Sequence, residues 1–212
     1  MNVLSHILHH KLVAIIRGVY PDDVLQITEA LYQGGIRTLE ITLNSPDALS
    51  VIGAVAQQMQ GKVIVGAGTV LDAASAKAAI SSGAEFIISP SLDIDTIQQT
   101  KSLGKVSIPG ALTPTEIFQA YKSGGDIIKV FPASAGVQYM RDLKGPFPQI
   151  PLMPTGGISI ENIQQFHEAG AVAFGIGSTL VNAKEPVTEA SLEALRARTH
   201  QLVQAVYSFS SI

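Results

Sequence analysis

Short apolar runs recur along the whole chain. They are Leu12–Ile16, Thr38–Thr42, Val63–Val65, Phe86–Ser89, Val106–Ile108, Ile127–Val130, Leu152–Pro154 and Ala173–Ile176. Each is brief and rich in Val, Ile or Leu, with little polar alternation. Runs of this kind read as parallel strands covered on both faces. Between them lie stretches of helical period at Asp22–Tyr32, Asp47–Met59, Ala73–Ser81, Ile94–Ser102, Thr115–Lys122 and Ile160–Glu168. Several carry start signals: Tyr20-Pro-Asp-Asp, Asn44-Ser-Pro-Asp, Thr113-Pro-Thr-Glu and Ser159-Ile-Glu-Asn supply a cap, a first-turn proline or an early acid. Many end in glycine, as at Gln33-Gly-Gly35, Ser82-Gly83, Leu103-Gly104, Ser123-Gly-Gly125 and Ala169-Gly170. The unit of helix, glycine and strand is thus a degenerate internal repeat.

Eight strands, each followed by a helix, predict a single-domain (β/α)8 barrel over residues 1–212, with a short helical lead-in at the N-terminus. After Phe131 the pattern weakens: Gly136–Lys144 predicts one short helix, and a last helix spans Pro186–Tyr207. An open doubly wound sheet uses the same local grammar, but the absence of a long crossover favours closure.

In such a barrel the chemistry sits at the C-terminal strand ends, and the unusual residues fall there. In order, the ends carry Arg17-Gly18, Glu40, Gly66-Ala-Gly-Thr69, Ser89-Pro90, Pro109-Gly110, Lys129, Thr155-Gly-Gly157 and Gly175-Ile-Gly-Ser178. Lys129 lies in Asp126-Ile-Ile-Lys-Val-Phe-Pro132, a lone cation in an apolar strand. Desolvation lowers the pKa of such an amine, and a neutral amine condenses with a ketone to form an imine. Glu40 is the matching anomaly, a carboxyl among Leu and Ile. As a structural residue it would close a salt bridge with Lys129 or Arg17. As a functional one it is a general acid/base whose pKa burial raises. Arg17 suits a carboxylate or phosphate, although it could equally bridge Glu40 or a helix end. Thr69 offers a hydroxyl for a carboxylate, or a helix cap. Gly156, Gly157, Gly177 and Ser178 follow the last two strands, the usual barrel position for a phosphate.

Charged residues make up only 15% of the chain and the net charge is -3. With no basic tract, nucleic acid is not an expected partner, and any anion must be held by local geometry. The chain has no cysteine, which excludes a disulfide scaffold and a thiol nucleophile. No run reaches the length of a membrane span, and a cytoplasmic location is expected. His6, His9 and His10 form a loose N-terminal cluster, read as part of a solvated helical lead-in and not as a metal site. His167 and His200 fall on helices away from the rim. Asp126 and Arg37 open strands at the opposite rim and read as structural.

Taken together, these motifs resemble the class I 2-keto-3-deoxy-6-phosphogluconate (KDPG) aldolases and their relatives acting on the galactonate isomer and on 4-hydroxy-2-oxoglutarate (KHG). The carrying stretches are Ala14-Ile-Ile-Arg-Gly18, Gly35-Ile-Arg-Thr-Leu-Glu-Ile-Thr42, Val65-Gly-Ala-Gly-Thr-Val70, Ile88-Ser-Pro90, Ile108-Pro-Gly110, Ile128-Lys-Val-Phe-Pro-Ala133, Gly145-Pro-Phe-Pro148, Pro154-Thr-Gly-Gly-Ile158 and Gly175-Ile-Gly-Ser178. The resemblance implies that Lys129 forms the Schiff base with a 2-keto acid and that Glu40 moves protons. Gly156, Gly157 and Ser178 match the phosphate holders, and Thr69 and Pro90 match residues lining the pyruvyl half. It further implies a homotrimer that uses no metal or other cofactor beyond the covalent imine. Asn44 departs from the gluconate type, which carries arginine there, and resembles the galactonate type. Thr155 instead resembles the gluconate type, and on it the phosphogluconate-derived acid is ranked first. Two other functions share the same features: a phosphosugar isomerase or epimerase with Glu40 as base, and a non-enzymatic small-molecule sensor.

Overall fold

The computed structural model describes residues 2–210; Met1, Ser211 and Ile212 at the ends of the expected domain lie outside the described residues. Helices and parallel strands alternate in the predicted order. The first four strands are β1 (Leu12–Ile16), β2 (Thr38–Thr42), β3 (Ile64–Gly68) and β4 (Phe86–Ile88). They are followed by β5 (Val106–Ile108), β6 (Gly110–Ala111), β7 (Ile128–Val130), β8 (Leu152–Pro154) and β9 (Phe174–Ile176). The helices are α1 (Val3–His10), α2 (Pro21–Gln33), α3 (Ala48–Gln58), α4 (Ala73–Ser81), α5 (Ile94–Ser102), α6 (Pro114–Lys122), α7 (Val137–Lys144), α8 (Ile163–Glu168) and α9 (Glu189–Tyr207). Capping explains several starts. The Asp72 and Asp93 side chains accept the N–H of Ser75 and Thr96, and Thr113 with Glu116 forms a reciprocal capping box on α6. Helix α8 begins later than its period predicts, because Ser159–Asn162 is spent on a turn that Asn162 braces: its Oδ1 accepts the Ser159 N–H at 2.9 Å.

Every strand pair is parallel. The ladders run β5-β4-β3-β2-β1-β9 in one sheet and β6-β7-β8 in a second. The result is a curled parallel α/β architecture with nine strand segments where eight were expected. The extra segment has a simple cause: Pro109 lacks an N–H and divides one extended stretch into β5, which pairs with β4, and β6, which pairs with β7. Backbone bonds nevertheless cross this divide, with Lys129 donating to the Pro109 carbonyl at 2.9 Å and Phe131 to that of Ala111 at 3.1 Å. On the other side β8 meets β9 through isolated bridges, Leu152 to Ala171 and Thr155 to Gly175.

Side chains alternate across the curled sheet with the strand period of two. Leu12, Ala14 and Ile16 of β1, Leu39 and Ile41 of β2, and Ile128 and Val130 of β7 face the helices in the larger core. Val13, Phe86, Ile88, Val106, Ile108, Ile127, Met153 and Ala173 form a second core inside the curl. That inner core is closed at one end by α1, whose Ile7 is buried within it and whose Val3, Leu4 and Leu8 pack against it. The lead-in is therefore not a solvated segment as expected; its apolar stripe plugs the interior. The same alternation sends Glu40 and Lys129 inward, on the inner side of strands whose flanking residues face the helices.

Candidate active site

Glu40 and Lys129 are the two charged residues among the buried set, with 0% and 3% of their surface exposed. Glu40 sits between β1 and β3, level with Ile15 and Gly66. Lys129 sits between β6 and β8, level with Gly110 and Met153. The interior has room for these groups because glycines face it. A methyl group on Gly68 would lie 1.5 Å from Glu40 Oε1, one on Gly66 would strike the Phe86 ring, and one on Gly175 would strike Thr155 Oγ1. Gly110 likewise lets the Pro90 carbonyl approach, which places Pro90 beside the strand that flanks Lys129. Sequence reasoning placed Gly66 and Gly68 at the end of the third strand. It did not identify Gly68 as the seat of the carboxyl, a fact that follows only from the β2–β3 register.

Neither group is quenched by the other. The ion pairs among the described residues all lie elsewhere, so the salt bridge that a structural Glu40 would form with Lys129 or Arg17 is not made. Both carboxyl oxygens of Glu40 are buried without a hydrogen-bond partner. Burial pushes the Glu40 carboxyl above its ordinary pKa, an effect only opposed by the charges of Lys129 and Arg17. Burial pushes the Lys129 amine below its ordinary range; Glu40 opposes this and Arg17 adds to it. Burial thus pushes the two pKa values toward each other. The Lys129 Nζ also lies 4.9 Å from the centre of the Phe131 ring. Phe131 was not singled out from sequence, although it is the next inward position after Lys129.

Arg17, at the end of β1, is exposed and acts electrostatically on both buried groups. It donates to Asn44 Oδ1 at 3.1 Å. Thr69 follows β3 with φ of 54°, in the left-handed region that a β-branched residue rarely occupies, a local strain of the kind found at functional sites. Thr155 is buried above Gly175 with its hydroxyl unpartnered. Beyond it, Gly156 and Gly157 take φ of 93° and 76°, open only to glycine without strain, and nothing stands within 4 Å where a side chain would begin at Gly157 or Gly177. The N–H groups of Gly157 and Ser178 have no hydrogen-bond partner among the described residues. Thr179 Oγ1 donates to the Ile158 carbonyl at 2.7 Å and ties the turn after β9 to the turn after β8. Asn162 Nδ2 holds the Gly157 carbonyl at 2.8 Å. Thr179 and Asn162 brace this turn and were missed; Asn162 had been read only as part of a helix start.

The remaining residues behave as background. Asp126 pairs with Lys101 at 2.7 Å and accepts the Ser107 N–H at 2.8 Å, and Arg37 donates to the carbonyls of Tyr32 and Ile36. The rings of His6 and His10 pack 4.5 Å apart and those of His9 and His10 4.9 Å apart, at the plugged end. No group of three or more His, Cys, Asp or Glu among the described residues is arranged to hold a metal ion.

Residues 3–195 match the family described as Aldolase: KDPG and KHG aldolase. The chain belongs to this family. It is 35% identical over 185 residues to 2-dehydro-3-deoxy-6-phosphogalactonate aldolase of Escherichia coli strain K12, covering 86% of this chain and 90% of that relative. The solved structure described as native KDPGal aligns with a TM-score of 0.88 at 32% identity, covering 95% of this chain and 96% of the other. The KDPG aldolase of Legionella pneumophila, solved with pyruvate captured as a covalent carbinolamine, aligns with a TM-score of 0.80 at 25% identity and 97% coverage of both chains. Family membership makes the protein a class I, lysine-imine aldehyde-lyase. This sets aside the isomerase and sensor readings. No helix among the described residues is long and apolar enough to cross a membrane.

Proposed function

We propose that Lys129 is the imine-forming lysine and Glu40 the proton carrier in reversible cleavage of a phosphorylated 2-keto-3-deoxy-4-hydroxy acid. The observation that supports this most is the pairing, inside one curl of sheet, of an amine with depressed basicity and a partnerless carboxyl with raised pKa. Neutral Lys129 adds to the C2 ketone, and the carbinolamine hydroxyl takes a proton from solvent and leaves as water, giving an iminium. Glu40, directly or through a water, takes the C4 hydroxyl proton. The C3–C4 bonding pair then moves into the iminium, giving an enamine and releasing the aldehyde. Glu40 returns the proton to C3, and water hydrolyses the imine to pyruvate and free Lys129. Thr69 and Pro90 line the pyruvyl half, and Arg17 faces the carboxylate. Gly156, Gly157, Gly177 and Ser178 receive the phosphate at the far end of the acid, supplying remote binding energy that orients the reacting carbons.

Among the candidate acids, the 6-phosphogalactonate-derived one comes first. The E. coli relative and the KDPGal structure favour it, as does Asn44. This reverses the order that Thr155 suggested from sequence; the Thr155 hydroxyl is buried against Gly175 without a hydrogen-bond partner. The phosphogluconate-derived acid is second and 4-hydroxy-2-oxoglutarate third. The test is kcat/KM on all three with one preparation. A preference for the gluconate isomer would restore Thr155 as the discriminating residue, and 4-hydroxy-2-oxoglutarate matching the phosphorylated acids would refute the phosphate grip.

The same reading takes the two ladders as one closed eight-stranded (β/α)8 barrel and one domain. In it β5 and β6 are a single strand interrupted by Pro109, and the bridges at Leu152 and Thr155 are the last seam. A cytoplasmic homotrimer completes the proposal, and light scattering on the purified protein tests the trimer.

A further inference from the structure

Arg17 is held in place by the strand next to it. Arg17 Nη1 donates to Asn44 Oδ1 at 3.1 Å. One residue on in each strand, Gly18 N–H donates to Ser45 Oγ at 2.8 Å. Ser45 is itself tied back to β2, through its N–H to the Thr42 carbonyl at 2.9 Å and its hydroxyl to that of Thr42 at 2.9 Å. Thr42 is fully buried. The loop after β1 is therefore stitched to the loop after β2 by two neighbouring bonds rooted in the core. The stitched residue is a guanidinium with no ion pair among the described residues, and its charge acts on both Lys129 and Glu40. An exposed arginine left free would sample many rotamers, and holding one is entropically costly. Asn44 lowers that cost without neutralising the charge, because its amide oxygen accepts a hydrogen bond while carrying no net charge.

We propose that Asn44 is a positioning residue that fixes Arg17 over the imine site, where the guanidinium receives the C1 carboxylate of the 2-keto acid. This rests on the reading of Lys129 as the imine lysine. The specificity it creates is for a carboxylate next to the ketone, independent of the aldehyde half or its phosphate.

Pyruvate alone isolates that end of the substrate, so the experiment uses pyruvate with borohydride and reads adduct at Lys129 by mass spectrometry. Wild-type adduct at Lys129 establishes the underlying reading; its absence would sink that reading before Asn44 is tested. Given the adduct, Asn44→Ala should raise the pyruvate concentration for half-maximal trapping about 3- to 10-fold, the worth of one ordinary, solvent-exposed hydrogen bond. The KM for the full substrate should rise by a similar factor, with kcat changing far less. In an Arg17→Ala background, Asn44→Ala should change nothing further. Asn44→Asp, which keeps the bond but spends the charge, should also weaken pyruvate binding, whereas Asn44→Ala weakens it through lost geometry with the charge intact. Raised salt should therefore weaken pyruvate binding in Asn44→Ala but hardly at all in Asn44→Asp. An Asn44→Ala penalty that persists without Arg17 would overturn the proposal. So would unchanged pyruvate trapping beside a weakened phosphorylated substrate, which would place Arg17 on the phosphate.

Discussion

Gly68→Ala tests the seating of the carboxyl without touching a charged group. The added methyl would stand 1.5 Å from Glu40 Oε1, 2.2 Å from Cδ and 2.6 Å from Cγ. Ordinary contact between carbon and oxygen needs roughly 3.2–3.6 Å, so the carboxyl must retreat by about 2 Å. The backbone is not the obstacle, because Gly68 is absent from the glycines with positive φ and alanine fits its conformation. The alternatives open to Glu40 are poor, since the pocket is already fully buried. A misplacement of about 1 Å at a reacting group costs on the order of 10²-fold in rate, so kcat for C–C cleavage should fall at least that far. Overpacking should also lower stability by about 1–3 kcal/mol. With Lys129 as the proposed imine former, imine formation should survive: borohydride should still trap pyruvate on the variant. The assay is steady-state cleavage beside pyruvate trapping and thermal unfolding. A folded Gly68→Ala protein with near-normal kcat would refute the claim that Glu40 works from the position above Gly68.

Glu40→Gln keeps the side-chain volume and should cut kcat by about 10²–10⁴-fold in the same assay. Its stability should change with pH in a defined sense. The folded-state pKa of Glu40 is raised above its ordinary 4.5, so the folded protein holds a proton that the unfolded chain releases. That contribution is complete below about 4.5 and is lost as pH climbs through the raised value. Denaturant titrations should show the loss in the wild type and its absence in Glu40→Gln. Lys129→Met should abolish both turnover and the pyruvate adduct. It also removes the charge that lowers the Glu40 pKa, so the pH-dependent loss of stability should begin at the same pH, set by the unfolded chain, but extend to a higher pH than in the wild type; an unshifted end point would mean that the two groups do not sense each other.

The order of elements was legible because parallel strands covered on both faces leave unbroken apolar runs, and glycine marks the helix ends. Leu12–Ile16, Thr38–Thr42, Val106–Ile108 and Leu152–Pro154 have the expected limits for that reason. Lys129 and Glu40 stood out for a related reason: a charge inside such a run is costly to bury, so its presence signals a use. Sequence could not assign them to one interior, because facing depends on register and register on hydrogen bonds between strands distant along the chain. The same limit hid Gly68 beneath Glu40, Phe131 beside the amine, and the stitch from Gly18 and Arg17 to Ser45 and Asn44. It also hid the plug made by α1, whose residues carry a helical stripe but no indication of which apolar surface receives it. Composition and periodicity are local and determine which elements form and which residues are out of place among them. Only the pairing of strand on strand and the curl of the sheet decided which of those residues share a space, and for Glu40, Lys129 and Arg17 that shared space shifts two pKa values toward each other.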